Sequence, residues 1–271
     1  MRTLAILFAL TVALPAPSKL IAHEFWIEPF SYQVEAESRI QGELVNGQEF
    51  EGSYLAYLPQ RFIRFTAASG IRQSTVENRL GSRPALDIAP LVEGLHVISY
   101  QSRMSTLNYA EWAKFVTFAD HKDLEDYEAQ HDARGLPRDG FDEGYVRFSK
   151  TLVGVGNSAG RDFRTGLETE FVALDNPYTD DLSGGIRLQL FYFDEVRADV
   201  QVELFEKAPD GTVEITLHRT DEDGIATLPV QPGYSYLADA VILRVPSADL
   251  AEASDIQWET LWAALTFGVP E

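Results

Sequence analysis

The sequence contains no cysteine. An exported life would therefore bring no disulfide framework, and thiolate ligation of zinc, copper or an iron–sulfur cluster is excluded. Any transition metal must be held by histidine, carboxylate, methionine or amine, and there are only five histidines: His23, His96, His121, His131 and His218. Positive charge is scarce as well, with 22 Lys and Arg against 42 Asp and Glu and a net charge of -20. Such a balance argues against nucleic acid or an anionic membrane as a partner. Beyond the first 22 residues no run of about 18 apolar residues occurs, so stable membrane insertion is not expected. Catalytic signatures are missing too: there is no Gly-x-Ser-x-Gly elbow, phosphate loop, dinucleotide fingerprint, HxH, HExxH or EF-hand spacing. The glycines between Gly154 and Gly160 follow a strand-like run, but they lack the Lys-Ser/Thr of a phosphate loop and read as a turn.

What is present begins with a leader. Arg2, an apolar core from Leu4 to about Ala16 and a short segment ending at Ala22 follow the plan of a cleaved secretory signal over residues 1–22. Pro15 and Pro17 argue further against a membrane helix. The expectation is a mature protein, exported to the periplasm, that begins at His23. Cleavage after Ala16 is the other possibility, disfavoured by Pro17 just beyond it.

From Phe25 to about Arg103, short apolar or alternating runs are broken by Asn46-Gly47, Ser69-Gly70 and Gly81 to Pro84, a pattern of antiparallel strands. This predicts an N-terminal β-sandwich module over 23–105. The texture then changes. Asn108-Tyr109-Ala110-Glu111 has the form of a capping box, with Trp112, Phe115, Val116 and Ala119 following at helical spacing. The acidic segment Asp123 to Arg134 closes at Gly135-Leu136-Pro137, and Phe141, Tyr145, Phe148 and Leu152 recur at roughly helical intervals. These features predict a helical connector over 106–150. From 151 to 271 the strand pattern returns, with Pro209-Asp210-Gly211, Asp223-Gly224 and Gln231-Pro232-Gly233 as turns. The unit from Val200 to Leu243 reads as successive hairpins of an immunoglobulin-like sandwich. The fold class expected is all-β, with two sandwich modules and no internal repeat.

If the chain begins at His23, that residue offers an α-amine and an imidazole together, a chelate suited to nickel, copper or cobalt when other imidazoles approach. Otherwise His23 merely opens a strand. His96 lies among apolar residues in Leu95-His96-Val97-Ile98, either as a hydrogen-bonded core histidine or facing a site. His121 stands at a helix junction between Asp120 and Asp123, free to project or to rest at the helix end. A site of His23, His96 and His121 is the candidate metal centre. His131 reads as part of a solvated acidic face, His218 as a strand-edge residue, and Glu24 as a weaker ligand pointing away from His23. Tyr54, Tyr57, Phe62, Phe65, Trp258 and Trp262 could form a platform for glycan or peptide, but at strand spacing they read as core.

The leader followed by His23-Glu24-Phe25-Trp26-Ile27-Glu28-Pro29, then Glu111-Trp112-Ala113-Lys114-Phe115, Arg147-Phe148-Ser149-Lys150-Thr151-Leu152-Val153 and Asn176-Pro177-Tyr178, resembles an exported domain-of-unknown-function family linked to nickel and cobalt uptake. Glu203-Leu204-Phe205, Thr220 to Gly224 and Trp258 to Phe267 fit it too, so the resemblance spans the mature chain. It implies two β-rich modules and a periplasmic component of cobalt or nickel transport, with the metal ion and a membrane transporter as partners. Two other readings are an exported adhesion-type module that binds protein or glycan and a copper-dependent oxidative enzyme with an N-terminal histidine. The last is an analogy of fold, since its second histidine and axial tyrosine cannot be assigned here.

Overall fold

The computed structural model describes residues 23–271, so the leader over 1–22 lies outside the described residues. The first part runs through β1 (Glu24–Pro29), β2 (Gln33–Val34), β3 (Ile40–Gln48), β4 (Glu51–Leu55), β5 (Phe62–Ser69), β6 (Arg72–Thr75), β7 (Leu86–Ile88), β8 (Gly94–Ser102) and β9 (Ser105–Tyr109). Two helices follow, α1 (Trp112–His121) and α2 (Tyr127–Ala133), and then β10 (Phe141–Val155), β11 (Thr169–Ala173), β12 (Ile186–Tyr192) and β13 (Glu195–Val196). The last part holds β14 (Gln201–Lys207), β15 (Val213–Arg219), β16 (Ile225–Leu228), β17 (Ser235–Arg244), α3 (Ala248–Ser254) and β18 (Trp258–Gly268).

A ten-stranded sheet in the order β15-β14-β17-β18-β10-β8-β5-β6, with β2 and β9 also paired to β10, is the backbone of the molecule. It takes strands from before residue 106 and from after residue 150 alike. At its centre β10 and β18 run parallel, from Glu143 opposite Trp258 to Thr151 opposite Thr266. Every residue of β18 is buried, as a strand covered on both faces must be. This accounts for the nearly unbroken apolar run Leu261 to Leu265.

One face of this sheet is covered by β11, β12, β13 and β16, with Phe171, Ile186, Leu188, Leu204, Tyr236 and Phe267 in the shared core. The opposite face has two covers. The sheet of β1, β3, β4 and β7 packs Phe25, Ile27, Ile40 and Leu44 onto Phe65, Ile98 and Tyr100. Beside it, α1 and α2 close an aromatic cluster of Tyr109, Phe115, Phe118, Phe141, Trp258 and Trp262. Burying one such ring contributes roughly 1.5–3 kcal/mol, and packing of this kind holds two short helices that could not persist alone. The all-β sandwich expected from the sequence is observed.

Three local expectations are corrected. Phe141 to Val155 is one long strand rather than the end of a helical segment, because its buried residues serve two faces of a central sheet and so lose any single period. Asn108 is not a helix cap: it sits in β9 opposite Asp142 and donates to its Oδ1 at 2.8 Å, while Asp139 Oδ1 accepts from the Trp112 N–H at 2.8 Å and starts α1. The 200–243 unit is not a run of hairpins in one sheet, since β16 crosses to pair with β12. Of the aromatics read as core, Tyr57, Phe65, Trp258 and Trp262 are buried and Phe62 is half-buried; Tyr54 is exposed.

Candidate functional site

The gap between β1, the end of α1 and the central sheet holds a buried ion cluster. Lys122 caps α1, its N–H bonded to the Phe118 carbonyl at 3.0 Å, and Asp123 then turns the chain through positive φ. That turn sends the lysine side chain inward. Its Nζ donates to Glu24 Oε1 at 3.0 Å, to Asp239 Oδ2 at 2.9 Å and, in a shorter contact, to Glu203 Oε2. Glu203 and Asp239 are direct register partners on β14 and β17, where two like charges would repel without a cation between them. All four residues are buried. The ammonium also lies 4.9 Å from the centre of the Trp262 ring.

The electrostatics follow from this crowding. Burial alone would lower the Lys122 pKa, but the Asp239, Glu24 and Glu203 carboxylates raise it well above the ordinary lysine value. Asp239 is pushed up to about 6, chiefly by burial against the pull of Lys122, with Glu24 and Glu203 adding to the rise. Burial would raise Glu203 too, yet the hydrogen bond from His121 and the Lys122 charge bring it below the usual range. His121 Nε2 stands 2.8 Å from Glu203 Oε1, and that hydrogen bond raises its pKa against partial desolvation.

Two residues along β10 from Ser149, which shares the row of Glu203 and Asp239, Arg147 is opposite Trp262 and lies over its ring at 3.8 Å. Burial lowers its pKa, opposed by the nearby charges of Asp239, Tyr145, Glu24 and Glu143. Among the described residues its Nε and Nη1 have no hydrogen-bond partner, and neither have Asp239 Oδ1 and Glu143 Oε2. A second buried lysine, Lys150, serves the other face of the sheet and is fully engaged by Asp162, the Phe163 carbonyl and the Phe171 carbonyl. It ties the 156–168 loop to the core and leaves no open coordination.

The structure treats the histidines differently from one another. His23 is partly buried just ahead of β1, and its Nδ1 is enclosed without a partner. His121 is half exposed at the rim of the ion cluster. The two are chain neighbours of Glu24 and Lys122, so the cluster brings their backbones to one place. His96 is not brought there. Glu203, Asp239, Ala264 and Ser149 form one row across β14, β17, β18 and β10, while His96 pairs with Val153. That is about 13 Å along β10 from Ser149 at ~3.3 Å per residue, with three strand spacings, roughly 14 Å, between β8 and the Asp239 strand besides. Both ring nitrogens of His96 are also engaged, Nε2 accepting from the Leu91 N–H at 3.0 Å and Nδ1 donating to the Gly94 carbonyl at 3.2 Å. It is the hydrogen-bonded core histidine of the two sequence readings.

His131 departs from the solvated face expected of it. It is fully buried, with Nε2 donating to the Pro137 carbonyl at 3.0 Å and Nδ1 accepting from Trp258 Nε1 at 3.0 Å. His218 lies on β15, the outer strand of the sheet, as expected. Glu24 was underweighted and Lys122, Glu203 and Asp239 were missed. A signal existed, since Val202-Glu203-Leu204 and Ala238-Asp239-Ala240 each set a lone acid inside an apolar strand.

Residues 20–243 match the family model DUF4198, a domain of unknown function. No characterised protein matches the chain significantly. Among solved structures, the tetra-tandem repeat in the extending region of a large adhesion protein is similar at 12% identity and a TM-score of 0.20, over 91% of this chain. The chain spans 49% of that structure's length, and at such a score the likeness bears on neither fold nor role.

Proposed function

This chain belongs to the DUF4198 family, whose description assigns no role; we propose, from the resemblance drawn in the sequence analysis together with the histidines described above, that it is an exported protein that captures a divalent transition metal, nickel or cobalt, for a membrane uptake system. The observation that supports this reading is the His23 imidazole, whose Nδ1 is enclosed and has no hydrogen-bond partner among the described residues, one residue ahead of Glu24 in a cluster of three carboxylates. A buried ring nitrogen without a partner is costly unless something takes its lone pair or proton. If a leader is removed at Ala22, the α-amine of His23 adds a second donor in chelating position.

The carboxylate cage itself is a poor cation site, because the Lys122 ammonium already fills it. The donors proposed for the metal are the His121 ring and Glu203 Oε1, 2.8 Å apart at the rim, with His23, one residue ahead of Glu24 in the chain, brought to them on binding. This set of nitrogen donors with one oxygen suits nickel, cobalt or copper better than magnesium or calcium. His121 must give up its proton to bind, so affinity falls as the pH drops through its raised value.

Calorimetric titration with nickel and cobalt tests the reading, with copper as a comparison. Protein beginning at His23 is set against protein with one extra N-terminal Met and against His23→Ala. The expected result is at least about tenfold weaker binding in both altered forms, a difference of roughly 1.4 kcal/mol. Equal affinity in all three removes His23 from the site, and an exported protein whose mass places its first residue at Pro17 removes the terminal chelate.

A further inference from the structure

A cleft of about 520 Å³ opens between β3–β4, the β8–β9 turn and β10, with Arg147 in its wall. Its size falls within the range of small-molecule pockets. The charge of its lining runs against that of the whole protein: no Asp or Glu lines it, whereas Arg61, Arg103 and Arg147 all do. In a chain of net charge -20, three guanidinium groups around one cleft make a local positive field that draws in anions.

The three arginines are placed differently. Arg61 and Arg103 are exposed at the mouth, and Arg147 is 5% exposed at the base. Its Cζ lies 3.8 Å from the centre of the Trp262 ring and 4.9 Å from that of Tyr145, contacts that take up none of its in-plane N–H groups in a hydrogen bond to an oxygen. The edge is where a planar fork of N–H groups meets a carboxylate in two parallel hydrogen bonds. Nε and Nη1 are buried and have no hydrogen-bond partner among the described residues, a costly state for a charged group that an incoming anion would relieve. The adjoining walls are apolar or hydroxylated, with Phe25, Leu55, Tyr100, Met104, Ser102 and Ser105.

We propose that this cleft binds a small organic carboxylate with an apolar or aromatic body, its carboxylate directed at Arg147 and its body against Phe25 and Tyr100. The apolar walls favour such a ligand over inorganic phosphate or sulfate, which would leave them wetted. Arg61 and Arg103 steer the anion inward and strengthen binding at low ionic strength. The inference is independent of metal capture, so it is tested on protein stripped of metal by a chelator.

The probes are phenylacetate and its neutral isostere phenylacetamide, with inorganic phosphate as a third arm, titrated by calorimetry and by ligand-observed NMR. Phenylacetate is expected to bind, at least about tenfold more tightly than either the amide or phosphate, and more weakly as salt rises. Arg147→Lys keeps the charge and loses the fork, and it is expected to weaken phenylacetate about tenfold or more. Should that variant fail to fold, the exposed pair Arg61→Ser with Arg103→Ser decides, with an expected loss of several-fold and a flatter salt dependence. No binding of phenylacetate to the wild type at about 10 mM overturns the proposal, as does equal binding of the amide or tighter binding of phosphate. Affinity unchanged in Arg147→Lys and in the double variant overturns it too.

Discussion

Replacing Lys122 by Met keeps the length and the apolar packing on Trp262 while removing the cation from the buried cluster. The three carboxylates offer oxygens within 4.8 Å of one another. At an effective dielectric of about 20, each ionised pair then repels by roughly 3–4 kcal/mol, or about 10 kcal/mol for three. That rivals the whole stability of a typical domain, about 5–15 kcal/mol, so the variant cannot keep all three ionised. The cheaper response is to take up one proton, which removes two of the three repulsions. For a carboxyl of ordinary pKa near 4, this costs roughly 4 kcal/mol at pH 7. With the one repulsion that remains, the deficit comes to about 7 kcal/mol at pH 7, and relaxation of the cluster would bring it toward the ~3–5 kcal/mol usual when one partner of a buried ion pair is deleted.

The mechanism fixes the pH dependence as well as the size. The folded variant binds one more proton than its unfolded chain, so its stability rises as the pH falls. Its deficit against wild type should shrink by about 1.4 kcal/mol per pH unit between pH 8 and pH 7, and by less toward pH 6, where Asp239 of the wild type takes up a proton as well. Part of the relief is already visible in the intact cluster, where burial holds Asp239 at about 6. Urea denaturation followed by tryptophan fluorescence at pH 8, 7 and 6 measures both quantities. A deficit under about 1 kcal/mol at pH 8, or one that does not change with pH, would refute the view of Lys122 as the counterion of this cluster.

Two further outcomes follow from the histidines. His131→Ala removes a ring buried against Trp112, Phe141 and Trp258 and orphans the Trp258 N–H, so thermal or chemical denaturation should show a loss of roughly 3–5 kcal/mol. Burial lowers the His131 and His96 pKa values, so their share of stability is present above the unfolded histidine value near 6.5 and lost as the pH falls through the lower folded values. NMR titration should find both rings neutral at pH 6.5. His121 has the opposite sign: its raised pKa supplies stability below the unfolded value, lost as the pH rises through the folded one. Because its side chain is half exposed, His121→Gln should cost only about 0.2–1 kcal/mol at pH 6 and less at pH 8, measured by the same denaturation series.

The class of fold was legible because its signals are local. Alternation and turn chemistry mark strands wherever one face is wet, and Pro209-Asp210-Gly211 does make the hairpin between β14 and β15, with the Ala208 N–H bonded to the Thr212 carbonyl at 2.8 Å. Helix α1 was legible for the same reason, since Phe115 and Ala119 recur on its one buried face. Strand β10 was not, because a strand buried on both faces has no alternation to read, and its spaced aromatics mimicked a helix. His131 misled in a related way: acidic neighbours set the character of one side of α2, and the Tyr127 and His131 rings point to the other.

The ion cluster illustrates a limit of another kind. Glu24, Lys122, Glu203 and Asp239 come from four segments that no spacing rule connects, and only the sheet register and the turn after α1 bring them together. What a sequence can offer is the anomaly of a charge inside an apolar strand, which must find a partner somewhere. Two such anomalies on strands that pair in register, Glu203 and Asp239, demand a cation from outside the sheet, and Lys122 supplies it. Arg147 is a third anomaly of this kind, a charge in a buried central strand, and within the protein its edge nitrogens find no answering acceptor. The same rule that accounts for Lys122 as a partner supplied from within leads to the expectation that Arg147 receives its partner from without, through the cleft whose lining carries no acid.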